Sequence, residues 1–461
     1  MAYQEMGNKE PAPYKHDGEV DNLERNSVAL SHMKALDTEY KLPVTGDRSA
    51  SWLSSAYHNV TAMIGAGVLG LPSAVAALGW EAGVILMVGC WIMTLYTLWQ
   101  MTSMHHIGDK RMDRYHELGQ YAFGPKRGLW FIIPFQLIVM LGLACVYCIT
   151  AGKSMHAVWG YLCTEPCRPF GLSAWIVVFA GLQIILSQCP NFNSLRVVSF
   201  SAAVMSLSYS TIAIGGAIAI GKQPNAYYNL DRFSTADKVF NIFNALGTIA
   251  FAYGGHNVVL EIQACMPAPP TTTKRMMTGV YIAYAIVAWC YLGVGFSGYA
   301  AFGNNVGDNV LLTPAFKGTV PTGLLIAADM MVVVHVMGSF QVYSMPVFDM
   351  IETQLVKNGI SNGLLCRLLY RTAYVVIVAF VGITLPFFGD LLGFIGAFAF
   401  GPTTFWLPPI IFLIVRKPSI RSVHWWASWF CIIFGLIVTI FGSIGGLRGI
   451  IVDASTYKFY Q

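Results

Sequence analysis

Eleven apolar runs, each long enough to cross a bilayer, follow one another between residues 52 and 446, and no soluble core fits between them. They fall at 52–75, 81–103, 129–152, 172–189, 194–220, 239–263, 277–301, 322–347, 369–386, 389–414 and 424–446. A helix rises ~1.5 Å per residue, so ~20 residues cross ~30 Å of hydrocarbon, with the fourth and ninth runs at the short end. Hydrophobic residues make up 55% of the chain and charged residues 11%, where a soluble domain is about one quarter charged. Lipid is therefore the expected solvent, and the expected class is an all-α polytopic membrane protein with one membrane domain over residues 51–447. Residues 1–50 are polar, have no long apolar run and do not read as a signal peptide. They are expected to form a disordered cytosolic tail, and residues 448–461 a short C-terminal tail. A net charge of +5 gives no reason to expect nucleic acid.

Orientation follows from the basic residues of the connections. With the N-terminus inside, cytosolic loops hold 14 Lys and Arg and outer segments 8, which places the N-terminus in the cytosol and, with an odd number of spans, the C-terminus outside. Most of the ten cysteines lie within apolar stretches as small hydrophobes. Cys163 and Cys167 flank a short polar loop, where a disulfide and two free thiols both stand as readings.

Two runs are interrupted where a membrane helix would be continuous. The first contains Ile64, Gly65, Ala66, Gly67 and Val68, followed by Gly70 and Pro72. Alone, such a run reads equally well as a surface for close helix packing. The sixth carries Phe251, Ala252, Tyr253, Gly254, Gly255 and His256. Two interrupted helices, each opening a set of five spans, point to an inverted-repeat transporter whose unwound backbones meet near the bilayer midplane. Exposed amides at a half-helix N-terminus suit a carboxylate, and freed carbonyls suit an ammonium group. A zwitterionic amino acid offers both. The carboxylate is expected at Ile64, Gly65, Ala66, Gly67 and Val68, the amine at Phe251, Ala252, Tyr253 and Gly254, with the rings of Phe251 and Tyr253 as gates.

Ionisable groups within the spans are functional candidates because hydrocarbon penalises them. Asp329 lies about two turns from the outer end of the eighth run, so a hydrated position is the competing reading. His58, His256 and His335 fall in the first, sixth and eighth runs, and histidine titrates near neutral pH. His256 is the preferred proton-linked residue because it adjoins the second interruption; the competing reading for each is a satisfied hydrogen-bonding side chain. Glu261 is a further proton-coupling candidate, expected to contact a cytosolic-side network rather than substrate. Lys153 is expected to snorkel to the outer interface, and Asp349 and Glu352 to form either an ion-pair gate or a solvated helix end. No metal-ligand cluster or nucleophile-base pair is evident, so neither cofactor nor enzymatic activity is expected.

At these residues the chain resembles the lysine-histidine transporter group of the amino acid/auxin permease family. The matching stretches are HNVTAMIGAGVLGLP from His58 to Pro72, TLYTLWQM from Thr94, PNFNS from Pro190, AFAY from Ala250, GHNVVLEIQ from Gly255 and MPVFDMIE from Met345. The resemblance implies a LeuT-like five-plus-five inverted repeat with discontinuous helices one and six and about eleven spans. It also implies proton-driven import of amino acids of broad specificity across the plasma membrane. The partners would be a small-molecule amino acid, protons and the lipid bilayer. Two positions depart from the pattern: Thr248 stands where an acid is expected, and Asp329 where a neutral polar residue is expected. An auxin-type carrier of the same fold and a nutrient sensor with a degenerate transport cycle remain alternatives on sequence alone.

Overall fold

The computed structural model describes residues 42–44, 47–163, 170–229, 234–267, 272–360 and 363–457, the side chains of residues 192, 193 and 456 aside. The first interrupted run forms α1 (Trp52–Met63) and the opening of α2 (Gly67–Ser103). Gly79, at φ 76°, turns the chain within α2 from the end of the first span into the second, a backbone region that crowds any Cβ. A two-stranded ribbon, β1 (His106–Ile107) and β2 (Lys110–Arg111), leads to α3 (Tyr115–Phe123). Spans three to five are α4 (Pro125–Leu162), α5 (Leu172–Leu186) and α6 (Arg196–Ile220). The second interrupted run gives α7 (Thr235–Tyr253) and α8 (Val259–Ala264), joined by a 3-10 turn at His256–Val258. Then come α9 (Thr273–Phe302), the short α10 (Pro314–Thr319), α11 (Thr322–Lys357) and α12 (Leu364–Thr384).

The tenth and eleventh spans differ from the continuous helices that their apolar runs suggest. In the tenth, α13 (Phe388–Ile395) and α14 (Leu407–Arg416) are joined by a π-helix over Gly396–Trp406. Pro402 sits inside that wider turn, where it has no N–H to give and where a tight α-turn would meet its ring. In the eleventh, α15 (Val423–Ile437) passes through a π-turn at Val438–Gly442 into α16 (Ser443–Thr456). Helix therefore continues past residue 447, where the C-terminal tail was expected to begin. Eight helices among the described residues are singly long and apolar enough to cross a membrane. The short α5 and the two broken spans bring the total to eleven.

The core is built around α1, α7 and their neighbours. Helix α9 packs along α1 and α2, α11 along α4 and α6, and α7 against α2 and the π-helix. Glycine sets the last of these contacts. A Cβ on Gly247 would lie 2.0 Å from the Gly393 carbonyl oxygen, and one on Gly396 would lie 1.9 Å from that of Gly247. Close backbone approach of this kind is how helices associate where lipid removes the hydrophobic drive.

One face is sealed by charge. Residues 42–44 and 47–50, assigned by sequence to the tail, pack onto the helices, with Leu42 and Val44 buried and Ala50 N bonded to Cys265 O at 2.9 Å. Asp349 is 1% exposed. It accepts from Arg114 Nε at 2.7 Å and Val44 N at 3.1 Å, while Arg114 also holds Glu117 at 2.9 Å. Arg111 meets Asp113 at 2.5 Å and donates to the carbonyls of Ala264 (2.6 Å) and Met266 (3.1 Å) at the end of α8 and just beyond it. Arg48 adds a second bond to Asp113 at 2.9 Å. Glu352, bound to Arg371 at 2.7 Å, is likewise buried, so the reading of a solvated helix end for Asp349 and Glu352 is overturned. Lys153 is half-buried, with its ammonium 5.5 Å from the centre of the Phe388 ring. Cys163 is disulfide-bonded; Cys167 lies outside the described residues.

Two outcomes follow from this packing. Gly396→Ala is expected to lower the melting temperature of the detergent-solubilised protein by about 3 °C or more, the scale of an overpacked core. Gly89→Ala, which meets nothing within 4 Å, should leave it unchanged, and equal behaviour of the two in a thermal scan contradicts the packing argument. Burial pushes the Glu117 carboxyl up from 4.5 to about 7, against the pull of Arg114. The folded state then binds more protons than the unfolded one between these values, so the contribution is present below pH 4.5 and lost as pH rises through about 7. The melting-temperature difference between the wild type and Glu117→Gln should therefore drift against the wild type from pH 5 to pH 8; a pH-independent difference contradicts it.

Candidate functional site

The two breaks face each other. Helix α1 stops at Met63, and Gly65 N folds back to Met63 O at 2.9 Å, so the helical ladder is not continued. Where α2 starts, the amides of Ala66, Gly67 and Val68 have no acceptor earlier in the same helix, and Leu69 N returns to Ala66 O at 3.2 Å. These N–H groups form the positive end of the dipole of the helix that runs from Gly67 to the turn at Gly79. Across from them, α7 ends at Tyr253, and Gly254 and Gly255 carry the chain into the 3-10 turn. A Cβ on Gly67 would stand 3.0 Å from both Ala252 Cα and the Phe251 ring, and one on Gly255 would stand 2.7 Å from Met63 Cγ. The expected cluster of Ile64, Gly65, Ala66, Gly67 and Val68 with Phe251, Ala252, Tyr253 and Gly254 is thus one buried place in the fold.

Tyrosine hydroxyls hold the freed carbonyls. Tyr291 of α9 donates to Met63 O and to Ala252 O, the second at 2.6 Å. Tyr343 of α11 donates to Ala62 O at 2.8 Å and Gly254 O at 3.3 Å. Each hydroxyl therefore bridges the two broken helices with a single proton, so the two of them serve four carbonyls and leave acceptor capacity for a further donor. Tyr209 of α6 reaches Gly65 O at 3.3 Å, and Ser339 of α11 reaches Thr61 O at 3.0 Å. Tyr147 walls the first break, since a Cβ on Gly65 would lie 3.0 Å from its hydroxyl. These residues escaped the sequence reading. The signal available was a set of tyrosines inside apolar spans, where each hydroxyl needs a partner.

The two proposed gate rings part company. Phe251 lies beside Gly67 and packs edge-on to Phe400 of the π-helix, with ring centres 5.4 Å apart. Tyr253 turns to Tyr291, at 5.0 Å. The three histidines do not converge. His256 places Nε2 2.9 Å from Thr97 Oγ1 and 3.2 Å from Thr94 O, facing the second span. His335 binds Ala202 O at 2.8 Å and Ser339 at 3.1 Å, tying α11 to α6 and, through Ser339, to α1. His58 is buried against Tyr57, with ring centres 4.7 Å apart. Asp329 is 1% exposed and faces Ser154 of α4, so the hydrated reading fails. Glu261 is buried and accepts from Gln136 Nε2 at 3.1 Å and Tyr115 N at 3.4 Å, beside the sealed face.

Opposite that sealed face, a cavity of about 200 Å³ lies between the far end of the first span and α7, lined by Ser73, Asn244, Thr248, Asp308 and Leu392 among others. Thr248, where the resemblance leads one to expect an acid, is among its lining residues. No group of three or more metal-ligating side chains occurs among the described residues.

Comparison with known proteins agrees with this arrangement. The family profile described as "Transmembrane amino acid transporter protein" matches residues 48–448. Lysine histidine transporter-like 1 of Arabidopsis thaliana is 46% identical over 96% of this chain and 97% of its own length. Lysine histidine transporter-like 6 is 49% identical over 90% and 94%, and Amino acid permease 1 of the same plant is 33% identical over 90% and 92%. Among solved structures, MhsT in complex with L-phenylalanine aligns with a TM-score of 0.55 at 12% identity, covering 88% of this chain and 99% of that one. A Na+-coupled sialic acid symporter aligns at 0.51 and 10%, over 95% and 98%. Both likenesses concern the fold, a LeuT-like five-plus-five repeat with discontinuous first and sixth helices. By its residues, its fold and these relatives, the chain belongs to the transmembrane amino acid transporter family.

Proposed function

We propose that this protein is a proton-coupled symporter that imports amino acids of broad specificity across the plasma membrane by alternating access, with its N-terminus in the cytosol. The observation that carries the reading is the meeting of the two breaks at Gly67 and Ala252, which sets helix-start amides opposite carbonyls that share tyrosine protons. A carboxylate bound at Ala66, Gly67 and Val68 gains charge-assisted hydrogen bonds and the helix dipole. An ammonium group bound at the α1 and α7 carbonyls supplies the donors that two hydroxyl protons cannot. The names of the relatives, lysine-histidine transporter and amino acid permease, support the same substrate class.

Alternating access requires one face closed while the other admits substrate. The N-terminal face is locked by Arg114, Asp349 and Arg111, and the cavity lined by Thr248 and Asp308 opens toward the other side. In the proposed cycle, substrate and proton enter from that cavity, and the ion pairs then separate to release both to the cytosol.

In a voltage-clamped cell expressing the chain, without sodium, a panel of amino acids should evoke an inward current that is larger at pH 5.5 than at pH 7.5. Uptake that follows external sodium and ignores pH contradicts the proton reading. Gly67→Leu is expected to reduce uptake by at least about tenfold, because the added side chain fills the approach between Gly67 and Ala252. Wild-type affinity in that variant, present at the cell surface, removes the first break from the site.

A further inference from the structure

Behind the second break lies a polar cluster in which acceptors outnumber donors. Glu261, Gln136 and Asn257 are 1%, 0% and 0% exposed. Gln136 donates through Nε2 to Glu261 Oε1 at 3.1 Å and to Asn257 O at 3.0 Å. Asn257 donates through Nδ2 to Thr403 Oγ1 of the π-helix at 2.9 Å. Gln136 has thus committed both of its N–H groups and Asn257 one of its two, which fixes where their oxygens are. Among the described residues no donor reaches Glu261 Oε2, Gln136 Oε1 or Asn257 Oδ1. Asn257 precedes Glu261 by four residues, across the junction of the 3-10 turn and α8.

We propose that Glu261 carries the co-transported proton, held on Oε2 and donated to the amide oxygen of Gln136 or Asn257, and that its charge sets α8 against the sealed face. This deepens the symport reading above and rests on it. The protonated carboxyl provides a donor where the cluster's oxygens lack one. The ionised carboxylate is a charge in a dry place, and such charges are costly unless paired. The groups facing it from the packed elements offer no free cation. From α3, Arg114 acts on it electrostatically but already holds Asp349 at 2.7 Å and Glu117 at 2.9 Å, and the Tyr115 phenol is spent on Thr403 O at 3.0 Å. From α4 comes the neutral Gln136 and from the π-helix the neutral Thr403. On the chain before and after, His256 is turned toward Thr94 and Thr97, and the Cys265 thiol donates to the Glu261 carbonyl at 3.4 Å.

The link to the gate is direct. Glu261 Oε1 accepts from the backbone N–H of Tyr115, the residue next to Arg114. While ionised, Glu261 draws the start of α3 inward and supports the bond from Arg114 to Asp349. A proton arriving at Oε2 forms one O–H bond, removes that attraction and frees the seal to part. It leaves by the same oxygen once the N-terminal face is open, and no other bond changes. Proton binding and opening are thus coupled through a single carboxyl.

The test uses L-histidine as the probe in sodium-free solution, with voltage clamp at pH 5.5 and 7.5 and with exchange of external labelled histidine against a preloaded pool. The wild type must first show an acid-enhanced current; without it the symport reading fails, and this proposal with it. Given that current, Glu261→Gln is expected to reduce net current by at least about tenfold and to abolish the acid enhancement, while exchange falls by much less. A variant that keeps the acid-enhanced current overturns the proposal, and so does one at the cell surface whose exchange falls in step with the current. Should Glu261→Gln fail to reach the surface, Asn257→Leu and Gln136→Leu decide together. The one that removes the acceptor of the protonated carboxyl should move the pH midpoint of uptake to more acidic values, and a midpoint unmoved in both overturns the assignment.

Discussion

A backbone inside hydrocarbon has to satisfy its own hydrogen bonds, and this protein breaks two helices in the middle of its membrane domain. Everything around the breaks answers that constraint. Tyr291 and Tyr343 bridge the freed carbonyls of both helices, Tyr209 and Ser339 secure the first, and glycine at 67 and 255 lets the two backbones come within contact of each other. An unsatisfied backbone group in lipid costs several kcal/mol, about as much as a substrate's own contacts supply. The arrangement is therefore poised. The carbonyls are satisfied enough for the helices to persist, yet two hydroxyl protons among four acceptors leave room for an ammonium group.

The same economy of donors recurs deeper in the domain. Around Glu261, Gln136 has committed both N–H groups and Asn257 one, and three side-chain oxygens lack a donor among the described residues. Tyr115 and Thr403 connect this cluster to the gate helix and to the π-turn of the tenth span. A π-turn already departs from regular hydrogen bonding, so it can shift register at lower cost than a regular helix. The breaks, the carboxyl cluster and the sealed face thus form one connected set of backbone and side-chain bonds, with Arg114 and Asp349 at its end.

Much of the fold was legible in the sequence because its strongest signals are long and periodic. The eleven apolar runs place the spans, and the glycine-rich stretches at 64–70 and 251–256 place the breaks, since few other residues tolerate such close backbone approach. What was not legible depends on partners distant in the chain. Pro402 looks like any membrane proline until Gly247 and Phe251 are set against the tenth span. Tyr291 and Tyr343 read as apolar bulk until the carbonyls that they serve are in place. Asp349 and Glu352 looked like a helix end in water because Arg114 and Arg371, which bury them, lie on other helices. The three histidines shared a plausible depth, but each faces its own neighbours.

The central claim, that the two breaks together hold the carboxylate and the amine of one amino acid, is tested most directly by competition on the purified protein. Binding of labelled L-histidine would be measured against unlabelled histidine, its methyl ester and its Nα-acetyl derivative. The account predicts that histidine competes fully and that each blocked analogue is weaker by at least about tenfold, the ester for losing the charge met by the amides at Gly67 and the acetyl form for losing the ammonium donors. Equal competition by all three would contradict it, because the backbone of the breaks would then not be what recognises the ligand.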